Sequence, residues 1–152
     1  MDGHCPCGAV QYRLKDVPLF THACHCRACQ RESGGAFAMN GMIEASAVEL
    51  TCGQTVAVPV PAESGKDQIF HRCSDCMVTL WSIYGGAGPK FLFVRMGTLT
   101  DSDAFPPDVH IFTESKQPWV ILPEDTPSFP QFYRRSAVWP AASLARRAAA
   151  LA

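Results

Sequence analysis

Cysteine is the residue type in this chain with the most chemistry to offer, because eight cysteines occur in 152 residues. Seven of them fall into three short groups, which are Cys5 and Cys7, then Cys24, Cys26 and Cys29, then Cys73 and Cys76. Eight cysteines are enough for four disulfides, but the sequence opens without the basic and apolar regions of an export signal. We therefore expect a cytoplasmic protein, where clustered thiolates are metal ligands or catalytic groups.

The first and third groups have the spacing of a closed metal site. Structural zinc sites take four ligands, usually as two short pairs that are distant in sequence. Cys5 and Cys7 precede a predicted strand, and Cys73 and Cys76 precede another β-rich stretch. We predict that these four cysteines bind one structural zinc ion, which contributes many kcal/mol of folding free energy.

The middle group offers only three sulfurs, Cys24, Cys26 and Cys29. Three protein ligands leave one position open for water, a thiol or a substrate, as in catalytic zinc sites. Two alternatives remain open. A histidine or Cys52 completes a second structural site, or Cys26 and Cys29 form a reversible disulfide. Cys52 lies outside every group, and we expect it to be a small buried hydrophobic residue.

The histidines are weaker candidates. His25 lies between two cysteines of the middle group, and it is either a proton shuttle or, in the favoured interpretation, an exposed neighbour. His110 precedes Ile111 and Phe112 and is expected in the core. The remaining ones border the cysteine groups in sequence only, and they are His4, His22 and His71.

Other side chains have two interpretations each. Arg27, Arg31 and Lys116 are able to receive the carboxylate of an anionic ligand, and otherwise they are solvated surface charges. The large aromatic residues are expected in the core, and they include Trp81, Phe91, Phe93 and Trp119.

Composition places the chain among ordinary globular proteins. Hydrophobic residues make up 47% and charged residues 18%, which excludes a disordered chain, and the length suits a single domain. The formal charge of −1 argues against nucleic-acid binding and against a polybasic membrane anchor. The apolar runs are too short to cross a bilayer. The scattered aromatic residues and the C-terminal segment permit a homodimer.

The elements that must position the cysteines are predicted to be short strands. Alternating apolar residues indicate strands at 10–14 and 37–43, and β-rich stretches indicate strands at 78–84 and 91–96. The stretch 56–61 carries two prolines, which favours an edge strand or an extended loop over a central strand, and a polar turn follows at 62–67. One helical turn after Cys29 is expected to stop at Gly34, and residues 141–152 have a helical composition. The prediction is a mostly β domain with turns built around cysteines.

Taken together, the motifs resemble those of the glutathione-dependent formaldehyde-activating enzymes, also called S-(hydroxymethyl)glutathione synthase-like proteins. The resemblance rests on the three cysteine motifs in order, which are Gly3-x-Cys5-x-Cys7-Gly8, Cys24-His25-Cys26-x-x-Cys29 and Cys73-x-x-Cys76. Further matches are Ser33-Gly34-Gly35, His110-Ile111, Ser115-Lys116, Trp119, Leu122-Pro123 and Pro127-x-Phe129-Pro130. The resemblance covers about residues 3–133, so we divide the chain into a domain at 1–133 and a C-terminal extension at 134–152.

The resemblance implies a β-tent fold of small antiparallel sheets organised around zinc-cysteine knuckles. It implies two zinc ions per chain, a structural one held by Cys5, Cys7, Cys73 and Cys76 and a catalytic one held by Cys24, Cys26 and Cys29. The implied activity is that of a carbon-sulfur lyase, which adds glutathione or a similar small thiol to formaldehyde or a related small aldehyde. The alternative is a non-catalytic zinc-binding module that binds a thiol or a partner protein.

Two positions depart from the family pattern. Arg72 stands where the family usually has Phe, and Met77 stands where it usually has Gly. A glycine after the second knuckle cysteine permits a positive φ. Met77 therefore predicts a strained or altered turn at the four-cysteine site.

Overall fold

The computed structural model describes residues 1–62 and 65–152, and its main elements are ten strands. The strands are β1 (Asp2–His4), β2 (Gln11–Leu14), β3 (Phe20–Cys24), β4 (Ala38–Glu44), β5 (Val48–Cys52), β6 (Thr55–Pro61), β7 (Asp67–Cys73), β8 (Thr79–Tyr84), β9 (Phe91–Arg95) and β10 (Val109–Ile111). The strands predicted near 10–14, 37–43, 78–84 and 91–96 correspond to β2, β4, β8 and β9.

The described residues also form four 3₁₀ turns of three residues each and three α-helices, which are α1 (Arg27–Ser33), α2 (Arg135–Val138) and α3 (Ala141–Leu151). α1 stops at Gly34, which has a φ of 67° and whose N–H bonds to the carbonyl of Gln30. This is the glycine stop that the sequence predicts. None of these helices is long and apolar enough to cross a lipid bilayer.

The strands form two sheets. The smaller sheet has the order β1-β2-β5, and the larger has the order β10-β3-β4-β9-β8-β7-β6. Every strand pair is antiparallel except β10 with β3, which is parallel. The mostly β class with small antiparallel sheets around cysteine turns is therefore confirmed. β6 pairs only with β7 and is an edge strand, as its prolines predict. The predicted turn at 62–67 includes residues 63 and 64, which lie outside the described residues.

The strand that carries the middle cysteine group has no clear signal in the sequence. All five residues of β3 are buried, so the side chains on both of its faces are covered. A strand covered on both faces loses the alternation of polar and apolar residues by which strands are recognised. β10 is also unanticipated, since it is three residues long and sits in a proline-punctuated segment.

Buried residues form two hydrophobic clusters, and each contains cysteines of one group. The first packs Cys5 and Cys73 with Tyr12, Ile43 and Trp81. The second packs Cys24 with a set of aromatic and aliphatic side chains that includes Phe20, Phe91, Val109 and Trp139. Trp119 was expected in the core and this is wrong, because its side chain is 70% exposed in a loop after residue 115.

The C-terminal segment packs on the second cluster. The helix predicted at 141–152 is present as α3, and Leu144 and Ala150 contact the cluster. Arg146 on α3 donates to both carboxylate oxygens of Glu44 on β4, at 3.1 and 2.7 Å. Trp139, which is 5% exposed, stacks on Phe20 with the ring centroids 5.2 Å apart. The segment after residue 133 thus contributes directly to the core.

A buried hydrogen-bond chain fastens this segment to β3. Trp139 Nε1 donates to the hydroxyl of Tyr133 at 2.7 Å, and that hydroxyl lies 2.7 Å from His22 Nε2. Since the indole can only donate, the hydroxyl proton of Tyr133 is free to bond to a neutral His22. Burial, helped by the nearby Arg135, lowers the pKa of His22 to about 4.

His22 predicts a stability loss in acid. Its folded pKa lies below the unfolded value of 6.5, so the unfolded chain binds the proton more readily. The contribution of neutral His22 to the free energy of unfolding is present above pH 6.5 and disappears as the pH falls towards 4. It amounts to about 3 kcal/mol at most. Urea unfolding of the wild type and of His22→Gln at pH 7 and pH 5 measures it, and we expect the wild type to lose more stability than the variant. The release of any bound metal in acid destabilises both proteins alike, so the difference between their losses of stability is due to His22. Equal losses would contradict this prediction.

Candidate metal centres

The first centre joins the two sheets through four sulfurs. The Sγ atoms of Cys5, Cys7, Cys73 and Cys76 all lie within 4.8 Å of one another, the arrangement that a metal ion requires. Cys5 and Cys7 belong to the turn between β1 and β2, and Cys73 and Cys76 to the turn between β7 and β8. The sulfurs thus come together as their spacing predicts, and they link parts of the chain almost 70 residues apart.

Backbone N–H groups point at the sulfurs of this centre. The N–H of Val10 donates to Cys5 Sγ at 3.2 Å, and the N–H of Asp75 donates to Cys73 Sγ at 3.4 Å. Burial opposes ionisation of Cys5, but the bonds from Val10 and from the neighbouring thiols outweigh it and lower its pKa to about 6. The turn geometry therefore favours the thiolate of Cys5, the form that binds metal.

Met77 closes the second turn in a left-handed conformation. Its φ is 61°, and its N–H bonds to the carbonyl of Cys73 at 3.0 Å. A residue with a Cβ atom is disfavoured there by about 1–2 kcal/mol. The strained turn expected from the sequence is present, and the chain keeps the tight turn despite the missing glycine.

The second centre consists of three sulfurs around the start of α1. Cys24 ends β3, Cys26 caps the N-terminus of α1 and Cys29 lies in its first turn, and their Sγ atoms all lie within 4.8 Å of one another. Within residues 1–62 and 65–152, no further Cys, His, Asp or Glu atom joins this group. The alternative in which a histidine or Cys52 completes a second four-ligand site is therefore not supported. Cys52 is exposed on β5, and its expected burial is wrong.

These three thiols differ in how readily they ionise. Hydrogen bonds from Cys24 and Cys29 lower the pKa of Cys26 to about 2, whereas the same contacts raise the pKa of Cys24 far above its usual range. The group on its own thus holds one thiolate readily and resists a second. Full deprotonation requires a cation between the sulfurs, which is what a bound metal ion provides.

Arg95 also favours negative charge at this centre, and sequence reasoning missed it. The bond with Cys24 and the charge of Arg95 both lower the pKa of Cys29. The contact with Cys26 and burial outweigh them and raise that pKa to about 11. Arg95 ends β9 and donates to Asn40 on β4 at 2.6 Å. No motif marks it, because it reaches the centre only through the pairing of β4 with β9.

His25 is fully buried, so its interpretation as an exposed neighbour is wrong. Its carbonyl accepts bonds from Gln30 Nε2 at 2.7 Å and from Ser115 Oγ at 3.0 Å, which hold the chain between Cys24 and Cys26. Its ring lies 3.0 Å from His110 Nδ1, and burial lowers its pKa to about 4. His110 is buried as expected. The pair is neutral at pH 7.

A groove of about 500 Å³ lies along one face of α1, the helix that carries Cys29. Arg27, Arg31 and Gln117 line it, together with Gly34 and Gly35. The Nη1 of Arg27 donates to the side-chain oxygen of Gln30 at 2.8 Å, which orients the guanidinium along the groove.

The other polar candidates from the sequence make their hydrogen bonds outside the two groups of sulfurs. Lys116 donates its ammonium group to the carbonyl of Val120 at 2.7 Å, within its own loop. His4, His22 and His71 contribute no atom to either group of sulfurs among the described residues.

Comparison with known proteins decides the family. The model of the glutathione-dependent formaldehyde-activating enzyme family matches residues 1–115, about three quarters of the chain. The chain belongs to this family. The matched range contains all seven cysteines of the two centres.

Relatives of this family member agree with that assignment. A protein of Halomonas elongata, whose name provisionally assigns it to the same family, is 26% identical over 127 residues, which are 80% of each chain. A solved structure of a Rhodobacter sphaeroides protein superimposes with a TM-score of 0.54 at 17% identity, covering 70% of this chain and 97% of the other. This second likeness shows the fold.

Met77→Gly is expected to stabilise the protein. The substitution relieves about 1–2 kcal/mol of left-handed strain in the folded chain. It also costs about 0.4–1 kcal/mol, because a glycine raises the entropy of the unfolded chain, so the free energy of unfolding rises by roughly 0.5–1 kcal/mol. Little packing is lost, because the Met77 side chain is 47% exposed. Urea unfolding measures the gain, with Met77→Ala as the control that keeps the strain. A Gly variant no more stable than the Ala variant would show that the turn holds no strain.

Proposed function

We propose that this protein catalyses the addition of a small thiol, glutathione in the first place, to formaldehyde or a related small aldehyde. The sulfur of the thiol forms a carbon–sulfur bond to the carbonyl carbon, the carbonyl π bond breaks, and the thiol proton passes to the oxygen. The product is an S-(hydroxymethyl) thioether, and the reverse reaction is that of a carbon-sulfur lyase. Family membership supports the substrates, since the family is named for glutathione and formaldehyde.

The observation that carries this proposal is the difference between the two centres. One gathers four sulfurs and the other gathers three. Four thiolates fill a tetrahedral metal ion, whereas three leave a position for an exchangeable ligand. We therefore assign Cys5, Cys7, Cys73 and Cys76 to a structural site, and Cys24, Cys26 and Cys29 to a catalytic one.

Zinc is the metal that fits these donors. Thiolate sulfur in groups of three or four is a ligand set that zinc favours, and the tight turns present the sulfurs with N–H groups directed at them. We propose two zinc ions per chain, one in each centre. When bound at the three-cysteine centre, zinc keeps an incoming thiol deprotonated near neutral pH, and the thiolate is the nucleophile.

The protein's own residues hold this centre in place. Gln30 and Ser115 fix the backbone of His25, and the N–H of Cys29 donates to Cys26 Sγ at 3.4 Å. Cys24 is 5% exposed and lies in the second core cluster, while Cys26 and Cys29 are half-buried. We therefore infer that the substrate thiol approaches from the side of Cys26 and Cys29.

The substrate's charge and the protein's location complete the proposal. Glutathione carries carboxylates, and the guanidinium groups of Arg27 and Arg31 along the groove offer them charge-assisted hydrogen bonds. With a net charge of −1, neither nucleic acid nor a membrane is proposed as a partner. Eight free cysteines suit a reducing compartment, so we place the protein in the cytoplasm.

Exchange NMR with ¹³C-formaldehyde and glutathione tests this function. We expect the wild type to accelerate adduct formation and cleavage at least tenfold over buffer. The rate in buffer alone is measured beside it, because the uncatalysed reaction is itself quick. Cys26→Ser is expected to return the rate to that of buffer, since it removes one of the three ligands. Cys52→Ser is the matched control and keeps the wild-type rate, because Cys52 lies outside both centres.

Two outcomes of this assay would contradict the proposal. Wild-type rates equal to buffer across several thiols and aldehydes would favour a non-catalytic binding module. Acceleration by Cys26→Ser equal to that of the wild type would move the active site away from the three-cysteine centre. A Cys26–Cys29 disulfide found by mass spectrometry in the purified, unreduced protein would favour the redox alternative.

A further inference from the structure

An ion pair joins α1 to β7, and thereby the two cysteine centres. Arg72 Nη2 lies 2.9 and 2.8 Å from the two carboxylate oxygens of Glu32. The side chains are only 23% and 15% exposed. A pair this far from solvent keeps more of its attraction than a surface pair does.

Arg72 also touches the turn of the four-cysteine centre. It directly precedes Cys73, and its Nη1 lies 3.3 Å from the carbonyl oxygen of Met77. Met77 is the residue in the left-handed conformation that closes this turn. One guanidinium group therefore bonds to the turn with one nitrogen and to α1 with another.

The strand pairing aims Arg72 at α1. The register of β7 and β8 shifts between His71 and Arg72, and this irregularity places Arg72 opposite Thr79. Residues opposite each other present their side chains on the same face of the sheet. Thr79 Oγ1 accordingly donates to the Oε1 of Glu32 at 2.7 Å, so the carboxylate is held by two neighbouring strands.

Glu32 in turn fixes the part of α1 that carries Cys29. Residues three apart are neighbours on a helix surface, so Glu32 and Cys29 share one face of α1. The next residue, Ser33, donates its hydroxyl to the carbonyl of Cys29 at 2.8 Å. The carboxylate contacts thus hold the turn of α1 on which Cys29 depends.

We propose that Arg72 and Glu32 are positioning residues that couple the two centres, because their ion pair sets the place of Cys29 and hence the metal affinity of the three-cysteine centre. This inference rests on the proposed function. Removing one partner of a poorly exposed pair leaves the other charge without its counter-ion, so α1 shifts or admits water. Partners outside the ligand shell commonly change metal affinity 10–100-fold. We expect about a tenfold weakening.

Three variants separate this coupling from a general loss of stability. Arg72→Met and Glu32→Gln each remove one charge of the pair. Arg146→Met is the matched control, because Arg146 pairs with Glu44 at 2.7 Å with similar exposures of 28% and 14%. Arg146 lies on α3 and contacts neither cysteine centre among the described residues.

Two readouts follow Cys29 with and without metal. The first is the rate at which a chelator removes zinc from the three-cysteine centre of the loaded protein. The second is the rate at which iodoacetamide alkylates Cys29 in the metal-free protein, resolved by mass spectrometry. We expect both rates to rise about tenfold in Arg72→Met and in Glu32→Gln, and to stay at the wild-type values in Arg146→Met.

Rates in Arg72→Met and Glu32→Gln equal to those in Arg146→Met would overturn the inference. A rise in the rates that is seen in only one of these two variants, when both fold, would overturn it as well. If Arg72→Met does not fold, the nearly isosteric Glu32→Gln decides. Failure of the proposed function is distinguishable from failure of this inference, because it appears as wild-type exchange rates with formaldehyde and glutathione equal to those of buffer. The alkylation rates still test the coupling in that case.

Discussion

Thiolates packed within 4.8 Å of one another repel, and both centres are built around that repulsion. Protons relieve it in part at the three-cysteine centre, where the pKa of Cys26 falls while that of Cys24 rises. A cation relieves it fully and turns each group into a cross-link. The four-cysteine group then ties the small sheet to the large one, and the three-cysteine group ties the end of β3 to α1. Because the strands are only three to seven residues long, we expect the fold to depend on these two cross-links.

The architecture supports an asymmetry between the centres. Cys5 and Cys73 are part of the first core cluster, so the closed group is continuous with packed side chains. At the other centre only Cys24 is buried, while Cys26 and Cys29 are half-buried at the start of α1, the helix along which the arginine-lined groove runs. The Arg72–Glu32 pair spans the two regions. The site that we propose as closed and the site that we propose as open are therefore linked by one ion pair.

Much of this organisation could be predicted from the sequence, because the cysteine spacing is local and specific. The division of seven cysteines into four and three, the stop of α1 at Gly34 and the strain at Met77 all follow from short motifs. What depends on pairing between distant strands could not be predicted. β3 is buried on both faces and has no alternation, and Arg95 reaches Cys29 only through the β4–β9 pairing. The burial of His25 and the exposure of Trp119 and Cys52 likewise depend on how loops pack, which no local pattern encodes.

The central claim is that one centre is closed and structural while the other is open and exchangeable. Zinc per chain, measured by elemental analysis on protein purified without chelators, tests it most directly in the wild type and in Cys26→Ser. The account predicts two zinc ions in the wild type and about one in the variant, with the circular dichroism spectrum retained. One zinc ion in both proteins would contradict it, because the three-cysteine group would then not be a metal site.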